Sequence, residues 1–104
     1  MNMSKKFNQI KVVDLIKQHV NLFYMFDKVY IFGSILEEEK YSNDIDILLL
    51  YSFFSYDIFK RVDEITTYIE RLTFYPVDMT VLSFKEEKET GFINRLGKKY
   101  ICIK

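Results

Sequence analysis

The sequence predicts an α/β (α+β) fold, a small mixed β-sheet with helices packed on it. Three observations predict it. Apolar positions alternate between helical and strand spacing along the 104 residues. About half of the residues (49%) are apolar and 17% are aromatic, enough to bury a core. With three glycines and one proline, the chain has nothing resembling a flexible linker. A chain of this length holds one core, so residues 1–104 are read as a single domain.

The elements follow in order. Val13, Ile16, Val20 and Phe23 recur at steps of three and four, predicting an amphipathic helix over residues 7–26. Residues 28–32 (Lys-Val-Tyr-Ile-Phe) read as a short strand closed by Gly33-Ser34. One or two helical turns are expected over 35–40, then a turn at Tyr41-Ser42-Asn43. A strand follows over 44–51, apolar on both faces toward its end and therefore expected to be internal and covered. Ile58, Val62, Ile65, Ile69 and Leu72 form one stripe, predicting a helix over 57–73 that Pro76 keeps from continuing. Residues 77–82 read as a third strand. Ser83 is placed to cap a charged helix over 84–96 that Gly97 ends, and residues 100–103 form an edge strand. Phe53, Phe54, Tyr56 and Phe59 are expected in the core; were they exposed, they would make a docking patch.

Charge narrows the function. Fifteen basic residues balance fifteen acidic ones, so no long-range field draws a nucleic acid or an anionic membrane, and strong nucleic-acid binding is not expected. The apolar run around residues 45–54 is interrupted by Asp46 and too short to span a bilayer. The lone Cys102 has no internal disulfide partner, and no secretory signal follows Lys5-Lys6, so a cytoplasmic protein is expected. His19, the single histidine, reads as a solvated helix-end residue.

Three features carry chemistry. Gly33-Ser34 directly follows a strand; glycine allows backbone to approach a phosphate, and the next N–H groups are expected at a helix N-terminus. Taken alone, this is also ordinary turn chemistry. Asp44 and Asp46 flank Ile45 on a strand, where period two puts both carboxylates on one face. They repel unless a cation joins them, and hard oxygen ligands suit Mg²⁺. Asp78, in a third apolar strand, offers another carboxylate that can serve a metal site or assist deprotonation of an attacking hydroxyl. Its plain alternative is a wet strand face shared with Thr80.

Together, Phe32-Gly33-Ser34, nine residues, Asp44-Ile45-Asp46 with apolar residues after it, and Val77-Asp78-Met79 resemble the minimal nucleotidyltransferases of the DNA polymerase β-like superfamily. The resemblance spans residues 29–82. It implies that Gly33 and Ser34 hold a nucleoside triphosphate, that Asp44 and Asp46 bind Mg²⁺, and that Asp78 completes a second metal site. It implies transfer of a nucleotide, AMP from ATP, to a hydroxyl. Short chains of this kind resemble the antitoxin of a toxin–antitoxin pair, whose helical HEPN-type partner receives AMP on tyrosine. No arginine precedes His19, so the partner's own Arg-x-x-x-x-His pattern is absent and this chain would be the modifying member. The sequence departs from the family where an arginine often follows Gly-Ser: here Ile35-Leu36 leads into Glu37-Glu38-Glu39, with Lys40 the nearest cation. The alternative this leaves is a catalytically degenerate fold that binds a nucleotide or a partner.

Overall fold

The computed structural model describes residues 9–37 and 41–104. Its elements are α1 (Gln9–Gln18), β1 (Lys28–Phe32), β2 (Ile45–Tyr51), α2 (Ile58–Thr73), β3 (Val77–Ser83), α3 (Phe84–Thr90), α4 (Phe92–Arg95) and β4 (Tyr100–Cys102). The sheet order is β3-β2-β1-β4. β1 runs antiparallel to β2 and β4, while β2 and β3 are parallel and joined through α2. The sheet is mixed, as the sequence predicts.

Side-chain alternation divides the sheet into two faces. Val29 and Ile31 of β1 and Ile45, Ile47 and Leu49 of β2 pack with Val12 and Ile16 of α1 and the Ile58–Val62–Ile65–Ile69 stripe of α2. Leu48 and Leu50 are buried toward the other face, where Phe32 meets Phe92 of α4 edge-on at 5.6 Å. β2 is therefore internal and covered on both sides, and β4 is an edge strand, both as expected.

Several expectations change in detail. The helix predicted over 7–26 ends at Gln18, and a separate 3-10 turn, Val20–Phe23, follows; residues 7 and 8 lie outside the described set. Phe23 and Phe26 are both buried, and a three-residue step reaches the core twice where the chain turns toward β1. Lys104 donates through its ammonium to the carbonyls of Phe23 and Phe26 there. Over 35–40 only a 3-10 turn, Ser34–Leu36, forms among the described residues; 38–40 lie outside them. The helix predicted over 84–96 is broken at Gly91, whose left-handed φ of 63° ends α3 before α4 begins. Ser83 does cap α3: its hydroxyl accepts from Glu86 N–H and its own N–H donates to the Glu86 carboxylate, a capping box.

The larger correction concerns the aromatic cluster after β2. Phe53 is 89% and Tyr56 94% exposed, and Phe54 and Phe59 are also exposed. The stripe of α2 already fills the core, leaving the connecting loop no interior to enter.

Candidate functional site

The site lies where β1 ends and β2 and β3 begin. Strand pairing alone brings its carboxylates together. In the parallel register Asp46 of β2 stands beside Asp78 of β3, and in the antiparallel register Asp46 faces Phe32, the residue before Gly33. Ile45 N–H donates to the Pro76 carbonyl at 2.9 Å, and Val77 N–H to the Glu70 carboxylate of α2 at 2.9 Å, fixing the start of β3 against β2. Asp44 lies one residue before β2 begins, yet the period of two still carries it to the side of Asp46. One carboxylate oxygen from each of Asp44, Asp46 and Asp78 lies within 4.8 Å of the other two.

Gly33 closes the site from β1. Its φ of 86° and ψ of −160° fall in a region essentially confined to glycine. A Cβ there would sit 2.5 Å from the Asp46 Oδ2. The glycine expected to admit a phosphate is thus also required by the carboxylate beside it. Ser34 is tied down: its hydroxyl donates to Ser42 Oγ at 3.0 Å, which donates to the Asp44 carbonyl at 2.7 Å. The expected helix N-terminus after Ser34 is replaced by the short 3-10 turn, which carries little of a helix dipole.

Two positioning residues had no signal in the sequence. Ser42, only 1% exposed, joins the Gly33-Ser34 loop to the backbone of Asp44, and it looked like ordinary turn chemistry. The Gln9 amide donates to the carbonyls of Ser34, Ile35 and Glu37 at 3.0–3.1 Å, fastening the loop to α1. A single amide at a helix start has no pattern to reveal it. Ile35, where a cation is absent, is buried in the core. Lys99 does meet this loop: its carbonyl accepts from Gly33 N–H at 3.3 Å, and its ammonium pairs with Glu37 at 3.2 Å.

The electrostatics are those of crowded like charges. None of the ion pairs among the described residues involves Asp44, Asp46 or Asp78. Burial, then the Asp44 and Asp78 carboxylates, push the Asp46 carboxyl up to about 6. Such a cluster fits a hard divalent cation: oxygens on one Mg²⁺ ion lie about 3–4 Å apart, within side-chain adjustment of the spacing here. His19 is turned elsewhere, its Nδ1 2.8 Å from the Leu15 carbonyl and its ring against Tyr68. A depression of about 690 Å³ along α2, lined by Asp63, Glu64, Thr67, Tyr68, Arg71 and Leu72, contains none of the candidate residues. Its walls come from one helix, so it is a helix flank with no converging groups.

No protein-family profile matches the sequence, and no curated protein does. Solved structures do. A candidate nucleotidyltransferase from Sulfolobus solfataricus matches with a TM-score of 0.52 and 26% identity, over 91% of this chain and 81% of that one. A chain of the Shewanella oneidensis complex between a tri-AMPylated HEPN toxin and an MNT antitoxin matches with a TM-score of 0.56 and 17% identity, over 94% and 72%. A mutant of the MntA–HpeT toxin–antitoxin gives 0.55 and 16%, over 94% and 73%. The fold is that of a nucleotidyltransferase domain, similar to the minimal type.

Proposed function

We propose that this nucleotidyltransferase-fold chain transfers AMP from ATP, with Mg²⁺, to a hydroxyl of a partner protein, as the antitoxin of a HEPN-type pair. The observation that carries the reading is the convergence of Asp44, Asp46 and Asp78 within 4.8 Å beside Gly33. Support for AMP and for a helical HEPN partner comes from the Shewanella oneidensis complex, where an AMPylated HEPN toxin accompanies an MNT antitoxin.

The roles follow from position. In this reading the Gly33-Ser34 backbone lines the triphosphate, and Asp44 and Asp46 would hold Mg²⁺ with Asp78 completing the set. When bound, Mg²⁺ neutralises phosphate charge. Asp78, the exposed member, faces the incoming acceptor and takes its hydroxyl proton. The acceptor oxygen forms a bond to the α-phosphorus, the α–β bridging P–O bond breaks, and pyrophosphate leaves. Chemistry of this type depends mainly on positioning and charge, which a small rigid sheet end can supply.

A second reading has its own observation. Burial of Ile35 removes that position from the nucleotide, so the fold could serve as a docking module alone. Mass spectrometry separates the two. With ATP, Mg²⁺ and the protein encoded by the adjacent gene, the wild type is expected to add a nucleotide to that partner. Asp78→Ala is expected to bind nucleotide yet label at least about a hundredfold less, in the range of a lost general base. A stoichiometric complex with no transfer from any nucleoside triphosphate would establish the docking module instead.

A further inference from the structure

The exposed aromatic cluster has no part in the nucleotide site. Phe53, Phe54 and Tyr56 lie between β2 and α2, and Phe59 on the first turn of α2. Phe54 holds the group together, meeting Tyr51, Tyr56 and Phe59 edge-on at 6.2, 5.7 and 6.1 Å. The cluster stands beyond the C-terminal end of β2, whereas Asp44 and Asp46 stand at its start. The strand's rise separates the two ends by roughly 20 Å. A partner presenting a hydroxyl to the carboxylates does not need this surface.

We propose that this cluster is the interface of a two-fold homodimer, its occupant a second copy of the same chain. Area supports it. An aromatic side chain carries about 150–250 Å² of surface, so four at this exposure offer roughly 600 Å². Tyr24, which lies under the Arg61 guanidinium of α2, and Phe84, which follows β3, are exposed at the same end of the sheet. A standard interface takes about 800 Å² from each partner, roughly 56–65% of it apolar, a share that the four clustered side chains can supply on their own.

Charge points to a copy of itself. The patch carries Asp57 and Lys60, both exposed and three residues apart where α2 begins. A two-fold axis repeats each contact in reverse, so a register that sets Asp57 against Lys60 of the other copy gains that opposite-charge contact twice, and this is the register proposed. A polyanion or an anionic membrane would require a basic excess around the aromatics. Asp57, Asp63 and Glu64 against Lys60 and Arg61 supply none.

Sedimentation velocity tests this with the full chain. The wild type is expected to be a dimer at about 100 µM and to dissociate on dilution. Phe53→Ser with Tyr56→Ser is expected to weaken the dimer at least about tenfold, with an unchanged melting curve for the monomer because both side chains are exposed. The charges supply a second arm independent of hydrophobicity. Asp57→Lys and Lys60→Asp each weaken self-association, and mixing the two variants restores a dimer, because each like-charge contact becomes an opposite one. A wild type that stays monomeric at this concentration overturns the proposal. So does a dimer indifferent to the aromatic substitutions, or single charge variants that mixing does not rescue. The readout involves no nucleotide, so it stands apart from the transferase reading.

Discussion

Asp46 holds its place at an electrostatic cost. Its folded-state value of about 6 lies above the ordinary aspartate value of about 3.9, so the fold favours the protonated carboxyl. The associated stability is fully present below the ordinary value and is lost as pH rises through about 6. Two units would be worth about 3 kcal/mol for a fully buried group; Asp46 is partly exposed, and screening reduces this to about 1 kcal/mol. Asp46→Asn, measured with chelator present, is therefore expected to melt about 4 °C higher than wild type near pH 8 and alike near pH 4. Mg²⁺-dependent nucleotide binding by the variant should be lost. A large drop in melting temperature would mean that the carboxylate is a structural group whose partners the amide leaves unsatisfied. Strand alternation made the Asp44–Asp46 pair legible in the sequence, whereas Asp78 was joined to it by the family resemblance and only the parallel register of β2 and β3 supplies the physical reason. Gly33 was legible too, but only the structure adds Asp46 as a reason for it. Ser42 and Gln9 were illegible because their roles rest on loop carbonyls that no periodicity records.

At the scale of elements, the apolar stripe of α2 and the internal character of β2 could be read from spacing. Where helices stop could not. The ends of α1 and α3 are decided by which residue the next element must bury, and by one left-handed glycine in a polar stretch. The exposed aromatics were misread for a related reason: composition says that aromatic residues fill cores, but not when a core is already full. The end of α2 is the plainest case of tertiary structure overriding local preference. Phe74 takes the left-handed conformation, φ 62° and ψ 22°, at a position where glycine is the usual choice. Its N–H still closes onto the Glu70 carbonyl, and the chain then leads through Tyr75 and Pro76 into β3. A left-handed residue with a Cβ costs about 1–2 kcal/mol, of which glycine's extra freedom in the unfolded chain returns less than 1. Phe74→Gly should then stabilise the protein by about 0.5–1 kcal/mol, read as a higher urea midpoint at unchanged slope. A lower midpoint would show that the exposed Phe74 ring makes packing contributions larger than the backbone strain it imposes.

Across the whole molecule, balanced charge hides a polar arrangement: three carboxylates at one end of the sheet and an exposed aromatic cluster at the other. No helix among the described residues is long and apolar enough to cross a membrane. With fifteen charges of each sign the molecule exerts little steering at a distance, so the proposed affinity for a triphosphate would have to arise inside the site. There the local balance is unfavourable. Three carboxylates cluster where the proposed phosphates would enter, Ile35 is buried, and the Lys99 ammonium is already paired with Glu37. ATP without a divalent cation should thus be repelled, and the same nucleotide with Mg²⁺ should be held by carboxylate and phosphate oxygens together. Calorimetric titration with ATP is expected to give at least about tenfold tighter binding in Mg²⁺ than in chelator, a difference of about 1.4 kcal/mol. The gap should narrow below about pH 6, where protonation of Asp46 removes one ligand charge. Equal affinities in Mg²⁺ and chelator would mean that the nucleotide rests on the Gly33-Ser34 backbone and Lys99 alone. The clustered carboxylates would then have no role in binding it, and the case for transfer would fall with them.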